Sequence, residues 1–285
     1  MGKHKFYSER ASGRARSIGF DELKELFSYE VQELKRCGYL DQYFGGDSND
    51  GVGEHGLDPS FRVFASLGKK GLWPLGDMSG YVSDGDLFDI IEYLFNHVSR
   101  PVYDSNGFFC GDYDGEAGRE YFISRMREVL RRYCDGFELS ETGDVLSLVP
   151  EGLESLFDAD INHPDKNNVG KRVLAAKLLF RMRDKEAGSF QNRKNAVREL
   201  ADVLEFLIKK SQEKILHKED ERDLFEIANR FGIRHHNIDQ KTDYDKDVFL
   251  SWIFYYYLAS IHACVHLLKR KGVFQSCEQG REEKR

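Results

Sequence analysis

Residues 193–216 read RKNAVRELADVLEFLIKKSQEKIL, and this stretch decides the fold of the second half of the chain. Val197, Leu200, Ala201, Leu204, Leu207 and Ile208 recur at i, i+3, i+4 and i+7, the spacing that lines one face of a helix. A helix with such a stripe must hide it against a neighbour. Three further patterns flank it. Val169 to Arg183 carries Val173, Leu174, Ala176 and Leu178; Glu219 to Phe231 carries Leu224, Ile227 and Ala228; Val248 to Lys269 is the longest and most apolar. Between residues 165 and 270 only Gly170, Gly188 and Gly232 interrupt, and no proline follows Pro164. Apolar stripes joined by short links predict an antiparallel helical bundle.

Toward the N-terminus the chain changes character. Residues 45–118 hold 14 of the 26 glycines, which predicts glycine-rich loops around 45–60 and 104–118 that carry recognition. Phe20 to Tyr43 reads as a helix with Leu23, Leu26, Phe27, Val31 and Leu34 inward. Leu87 to Val98 and Glu116 to Tyr133 read as two more. FELSETGDVLSL, residues 137–148, alternates on both sides of Glu-Thr-Gly and predicts a small hairpin. Lys3, Lys5, Arg10, Arg14 and Arg16 stand against the single acid Glu9, so residues 1–19 read as a basic arm, either merely solvated or contacting a polyanion. The expected fold is mostly α: this arm, an N-terminal α+β domain over 20–160 carrying the hairpin, a C-terminal bundle over 161–272, and a polar tail over 273–285. The polar link ADINHPDKNN, residues 159–168, marks the expected boundary.

Composition narrows the function classes. The chain has 285 residues, 40% hydrophobic and 32% charged, which is globular rather than disordered. A net charge of −7 means that any nucleic-acid contact must come from a local basic patch. The sequence offers no run of about 18 apolar residues, so no membrane-spanning helix is expected. MGKHKFYSER has no apolar core for a signal peptide, and Phe6 stands where a myristoylation signal needs Ser or Thr. Five cysteines at wide spacing without a CxxC pair predict free thiols in a reducing cytoplasm, not a disulfide framework or zinc ribbon. No phosphate-binding GK[ST] loop occurs, and DSNDGVGE lacks the glutamate position of a calcium loop.

The segment richest in chemistry is Asn229-Arg-Phe-Gly-Ile-Arg-His-His-Asn-Ile-Asp-Gln-Lys241, between the third and fourth helical patterns. A histidine exchanges a proton near neutral pH, and an arginine offers a fixed charge with a fork of donors that fits phosphate oxygens. Together they supply what metal-free cleavage of an RNA phosphodiester requires: one group moves protons at the 2′-hydroxyl or the leaving oxygen, the other stabilises charge in the transition state. If the helix continues through His235, Arg230 and Arg234 share a face. The blander reading is a cationic C-terminal turn with Asn237 as its cap, favoured by the helix dipole.

Arg230-Phe-Gly-Ile-Arg-His235 fits the R-x4-6-H motif with four intervening residues, and Arg230 to His236 fits it with five. With this placement before a long final helix, residues 165–270 resemble a HEPN domain, a nucleotide-binding helical bundle. The resemblance implies a metal-independent endoribonuclease of a bacterial toxin or abortive-infection system, with Arg230 and His235 catalytic and Arg234, His236, Asn237 and Lys241 contacting RNA. It implies no cofactor and no metal, a homodimer through the bundle, and an antitoxin or phage-derived trigger as partner, all in the cytoplasm. The alternative is a non-catalytic HEPN-like module for binding or dimerisation, which Phe231 and the net negative charge favour.

Other candidates are weaker. His262 and His266 are four apart on the last helix but lack the glutamate of HExxH and a third ligand. Trp252, Phe254, Tyr255, Tyr256 and Tyr257 can stack on bases, or pack a core and a dimer interface. Asp243, Asp245 and Asp247 suit the N-terminus of the last helix.

Overall fold

The structure, a computed structural model, describes Tyr7, Arg10 and residues 17–45, 58–182, 190–210, 216–233 and 245–272. It divides into two compact units, Met1–Leu148 and Val149–Arg285. The division falls ahead of the polar link rather than within it. The reason is the short helix α6 (Glu154–Asp158), whose Phe157 is buried in the second core together with Val149, Leu153 and Leu156.

The first unit is helical with two antiparallel two-stranded sheets. Helix α1 (Phe20–Arg36) buries Leu23, Phe27, Val31 and Leu34, the stripe its spacing predicts. It stops at Cys37–Gly38, where the sequence places the end of the apolar run, and the rest of the stretch read to Tyr43 resumes as the one-turn α2 (Asp41–Phe44). Helix α3 (Pro59–Leu67) begins with an Asp58 side chain that accepts from the Ser60 amide, followed by proline in the first turn, where its missing N–H costs nothing. Helix α4 (Asp84–Phe95) opens on a capping box between Ser83 and Asp86, and buries Leu87, Ile90, Ile91 and Leu94. Helix α5 (Gly115–Leu130) packs Phe122, Met126 and Leu130 into the same core and is tied to α1 by Arg125, whose Nε and Nη2 reach Glu30 at 2.8 and 2.6 Å.

The predicted hairpin is present as β3 (Phe137–Leu139) and β4 (Val145–Ser147), with Leu139 opposite Val145. A second hairpin, β1 (Arg100–Tyr103) and β2 (Phe109–Asp114), occupies much of the region expected to be a loop, and α5 takes the rest of it. The loop expected around 45–60 holds α3 from Pro59; residues 46–57 lie outside the described residues.

The second unit is built round one helix. Helix α10 (Lys246–Arg270) buries Leu250, Ile253, Phe254, Tyr257, Leu258, Ile261, Cys264 and Leu268. Around it lie α7 (Lys171–Arg181), α8 (Phe190–Lys210) and α9 (Lys218–Arg230). Phe180 of α7 stacks on Phe254 at 3.9 Å and 12°. Val197, Leu200, Ala201 and Leu204 of α8 are fully buried, as the decisive stripe requires. On α7, Val173, Ala176 and Phe180 face the core while Leu174 and Leu178 are exposed. Among the described residues, α10 is long and apolar enough to cross a membrane by length and composition, contrary to the expectation from sequence. The bundle accounts for that apolarity, because half of the span is buried inside it.

Gly118 tests the packing of the first unit. A Cβ there would lie 2.5 Å from the Ser99 Cα and 2.9 Å from the Arg100 amide nitrogen. Helix propensity alone favours alanine over glycine by about 1 kcal/mol. We expect Gly118→Ala to destabilise instead, by roughly 1–3 kcal/mol, because backbone must move. Urea unfolding followed by circular dichroism measures the sign.

Candidate functional site

Helix α9 is set by its charges and by one hydrogen bond. Glu219, Asp220 and Glu221 lie in its first turn and Arg230 in its last, both favourable to the helix dipole. The buried Tyr257 hydroxyl of α10 donates to the Leu224 carbonyl at 2.9 Å, which fixes α9 against the core helix. The helix ends at Arg230. The Phe231 amide still donates to the Ile227 carbonyl at 3.2 Å, and Gly232 then takes φ +65°, a conformation that ends helices and favours glycine. Ile233 is fully buried, and its carbonyl accepts from Arg198 Nε of α8 at 3.1 Å. The conditional expectation of a helix running on through His235 is therefore corrected, since the helix ends ahead of Gly232; whether Arg234 shares a face with Arg230 falls outside the described residues.

Arg230 is exposed, and its Nη2 donates to Glu226 Oε1 one turn back. The other residues read as site members, Arg234, His235, His236, Asn237 and Lys241, lie outside the described residues, as does Asp243. Asp245 and Asp247 serve the start of α10 and its neighbour: Asp245 accepts from the Val248 amide at 3.0 Å, and Asp247 pairs with Arg193 at 3.2 Å.

Beside Arg230 runs a ladder of rings. Phe231 stacks on Phe249 at 5.3 Å and 27°; Phe249 meets Trp252 edge to face at 6.3 Å; Trp252 stacks on Tyr256 at 6.0 Å and 17°. Trp252 is 47% exposed and Phe249 37%. The aromatic run of the sequence is thus divided. Phe254, Tyr255 and Tyr257 are buried in the core, Tyr256 is half-buried against its edge, and Trp252 and Phe249 are exposed. The positions 249, 252 and 256 carry the helical spacing that marks this second face, a signal hidden by reading 252–257 as one block. Phe254, Tyr255, Leu258, Ile261 and Val265 belong to the face that serves the bundle core.

His262 is half-buried, and its Nε2 is shielded without a hydrogen-bond partner among the described residues. Burial is the main reason that its pKa is lowered, and the charges of Lys177 and His266 push the same way. Burial also lowers the pKa of Lys177, whose Nζ donates to the Ala159 carbonyl at 3.0 Å. No group of three His, Cys, Asp or Glu side chains among the described residues is placed to share a metal ion.

The lowered His262 pKa has a definite sign. The unfolded chain takes up a proton first as pH falls below about 6.5, while the folded chain resists it, so folding stability contributed by neutral His262 is present above that pH and lost as pH falls through the folded pKa. We expect His262→Leu to flatten the loss of thermal stability between about pH 7 and 5; an unchanged slope would contradict this.

No family model, curated protein or solved structure matches the chain at a significant level.

Proposed function

We propose that the second unit is an HEPN-like, metal-independent endoribonuclease of a bacterial toxin or abortive-infection system, acting in the cytoplasm. What carries the reading is the placement of Arg230: an exposed guanidinium at the last turn of α9, leading through a tight turn into the histidine-bearing segment that precedes the long core helix. In this reading Arg230 stabilises the negative charge on the phosphorane-like transition state. His235 moves the proton, with Arg234, His236, Asn237 and Lys241 holding the RNA. Attack by the 2′-hydroxyl leaves a 2′,3′-cyclic phosphate and a 5′-hydroxyl. Two copies join through the bundle, and an antitoxin or phage-derived protein controls the activity.

The Glu226 partner of Arg230 does not oppose this role. An exposed ion pair contributes about 0–1 kcal/mol, so a phosphate can displace the carboxylate at little cost. The ring ladder supplies a sequence-tolerant platform on which unpaired bases stack beside that phosphate. The second reading is a module that binds nucleic acid or a partner without cutting. The acidic first turn of α9 favours its partner-binding form, because it weakens the field an RNA strand meets.

Cleavage of single-stranded RNA by the purified protein, unaffected by chelator, is the expected result. His235→Ala should reduce the rate by about 100- to 10,000-fold with the fold intact, Arg230→Ala should be similarly severe, and His236→Ala milder. A wild-type protein that binds RNA and never cuts it moves the chain to the second reading.

Trp252→Ala should weaken RNA binding by on the order of tenfold while circular dichroism is unchanged, since stacking contributes about 1–3 kcal/mol per base and Trp252 is half-exposed. Light scattering on the same variant separates this from a dimer contact: loss of mass with no change in RNA affinity assigns Trp252 to the interface between copies.

A further inference from the structure

In the first unit, Arg62 of α3 is 6% exposed, and its Nε, Nη1 and Nη2 are all shielded without a hydrogen-bond partner among the described residues. The guanidinium lies over the Tyr43 ring at 4.2 Å and near the Phe44 ring at 5.7 Å. Those rings satisfy its face. They do nothing for the five N–H donors in its plane. Elsewhere in this unit a carboxylate fills that role, as Glu30 does for Arg125 and Glu141 for Arg127 at 2.8 Å. A buried charge without a partner is strongly unfavourable, and stacking on one ring offsets only part of that cost.

A second donor sits in the same cluster. The Tyr93 hydroxyl is also shielded, with the Tyr43 and Ser66 hydroxyls as its polar neighbours. The Tyr93 ring lies 6.5 Å from Tyr43 and 6.4 Å from Phe44, and His97 packs on both Tyr43 and Tyr93 at 3.9 and 4.2 Å. Burial raises the Tyr93 pKa, so the phenol keeps its proton and remains a donor. The acid that feels the Arg62 charge, Asp58, is engaged elsewhere: its side chain caps α3 by accepting from the Ser60 amide at 2.7 Å.

We propose that Arg62 and the Tyr93 hydroxyl form a binding site for an oxyanion, the phosphate or carboxylate group of a small molecule. A buried guanidinium with no acceptor for any of its three nitrogens among the described residues calls for an anion, and the Tyr93 hydroxyl beside it can turn to the same oxygen. A planar fork held over the Tyr43 ring presents the paired N–H groups that a carboxylate or phosphate accepts at two oxygens. Tyr43, Phe44 and His97 hold the site in place. This inference is independent of any activity in the second unit.

The test uses the full chain and thermal unfolding, with inorganic phosphate in one arm, succinate in the second, and chloride at matched ionic strength in the third. We expect phosphate or succinate, and not chloride, to raise the unfolding temperature of wild type, with the more effective arm naming the source of the oxyanion. Arg62→Met should abolish that rise. In anion-free buffer it should unfold no earlier than wild type, because the uncompensated charge is gone. Tyr93→Phe, which removes a single oxygen, should fold normally and respond more weakly. A wild type indifferent to both oxyanions overturns the proposal, as does an Arg62→Met variant that still responds. Should Arg62→Met fail to fold, an undiminished response in Tyr93→Phe overturns it equally.

Discussion

Burial of α10 on several sides at once is the constraint on which the second unit depends. Leu250, Ile253, Phe254, Tyr257, Leu258 and Ile261 point in too many directions for one neighbour to cover. Helix α7 closes one side through the Phe180–Phe254 stack. Helix α8 closes another with a stripe of buried residues, Ala196, Val197, Leu200, Ala201, Val203, Leu204 and Leu207. Among the described residues, helix α9 buries only Leu224, with Phe225 and Ile227 half-buried against the core, and the Tyr257 hydrogen bond to its backbone adds to that hold. Its mean composition is the most polar of the four, and without Tyr257 and the core helix behind it little would fix its position.

That division of labour explains why the end of α9 suits chemistry. Packing residues are consumed where the helix meets the core, and its last turn is left for charge. The chain that leaves it is pinned immediately by Ile233, buried and bonded through its carbonyl to Arg198. Arg230 is therefore exposed on a backbone anchored on both sides, by Tyr257 before it and Arg198 after it. A functional side chain needs this combination, since a fixed Cα and a free guanidinium allow a partner to be exchanged without moving the fold.

Legibility in the sequence follows the same physics. The helices of the bundle, α1, α4, α5 and the hairpin of β3 and β4 are written in apolar periodicity, because each has one wet face and one dry face. The hairpin of β1 and β2 escapes that reading. Its second strand, FCGDYD, is exposed along nearly its whole length and carries no alternation. Helix α3 escapes for a related reason: Arg62 and Val63 are its buried residues, so a charge occupies a core position that periodicity assigns to solvent. The ring ladder was legible only as a cluster of aromatics, since dividing them between two faces requires knowing which face the core takes. Of the motif itself, the structure describes Arg230 and the turn that follows, and His235 lies outside the described residues.

The two arginines occupy opposite ends of one energetic scale. Arg230 remains in water with a carboxylate that is easily given up, because an exposed pair is barely more stable than its separated, hydrated partners. Such a group can bind and release a charged strand repeatedly at small cost on either side of the exchange. Arg62 has already lost its water during folding and has recovered only a stacking contact. An anion reaching it regains what desolvation removed, so binding there is favoured by the fold's own deficit, and release must restore that deficit. The first arrangement suits turnover. The second suits retention, and a ligand retained in a domain's core stabilises that domain in proportion to its occupancy.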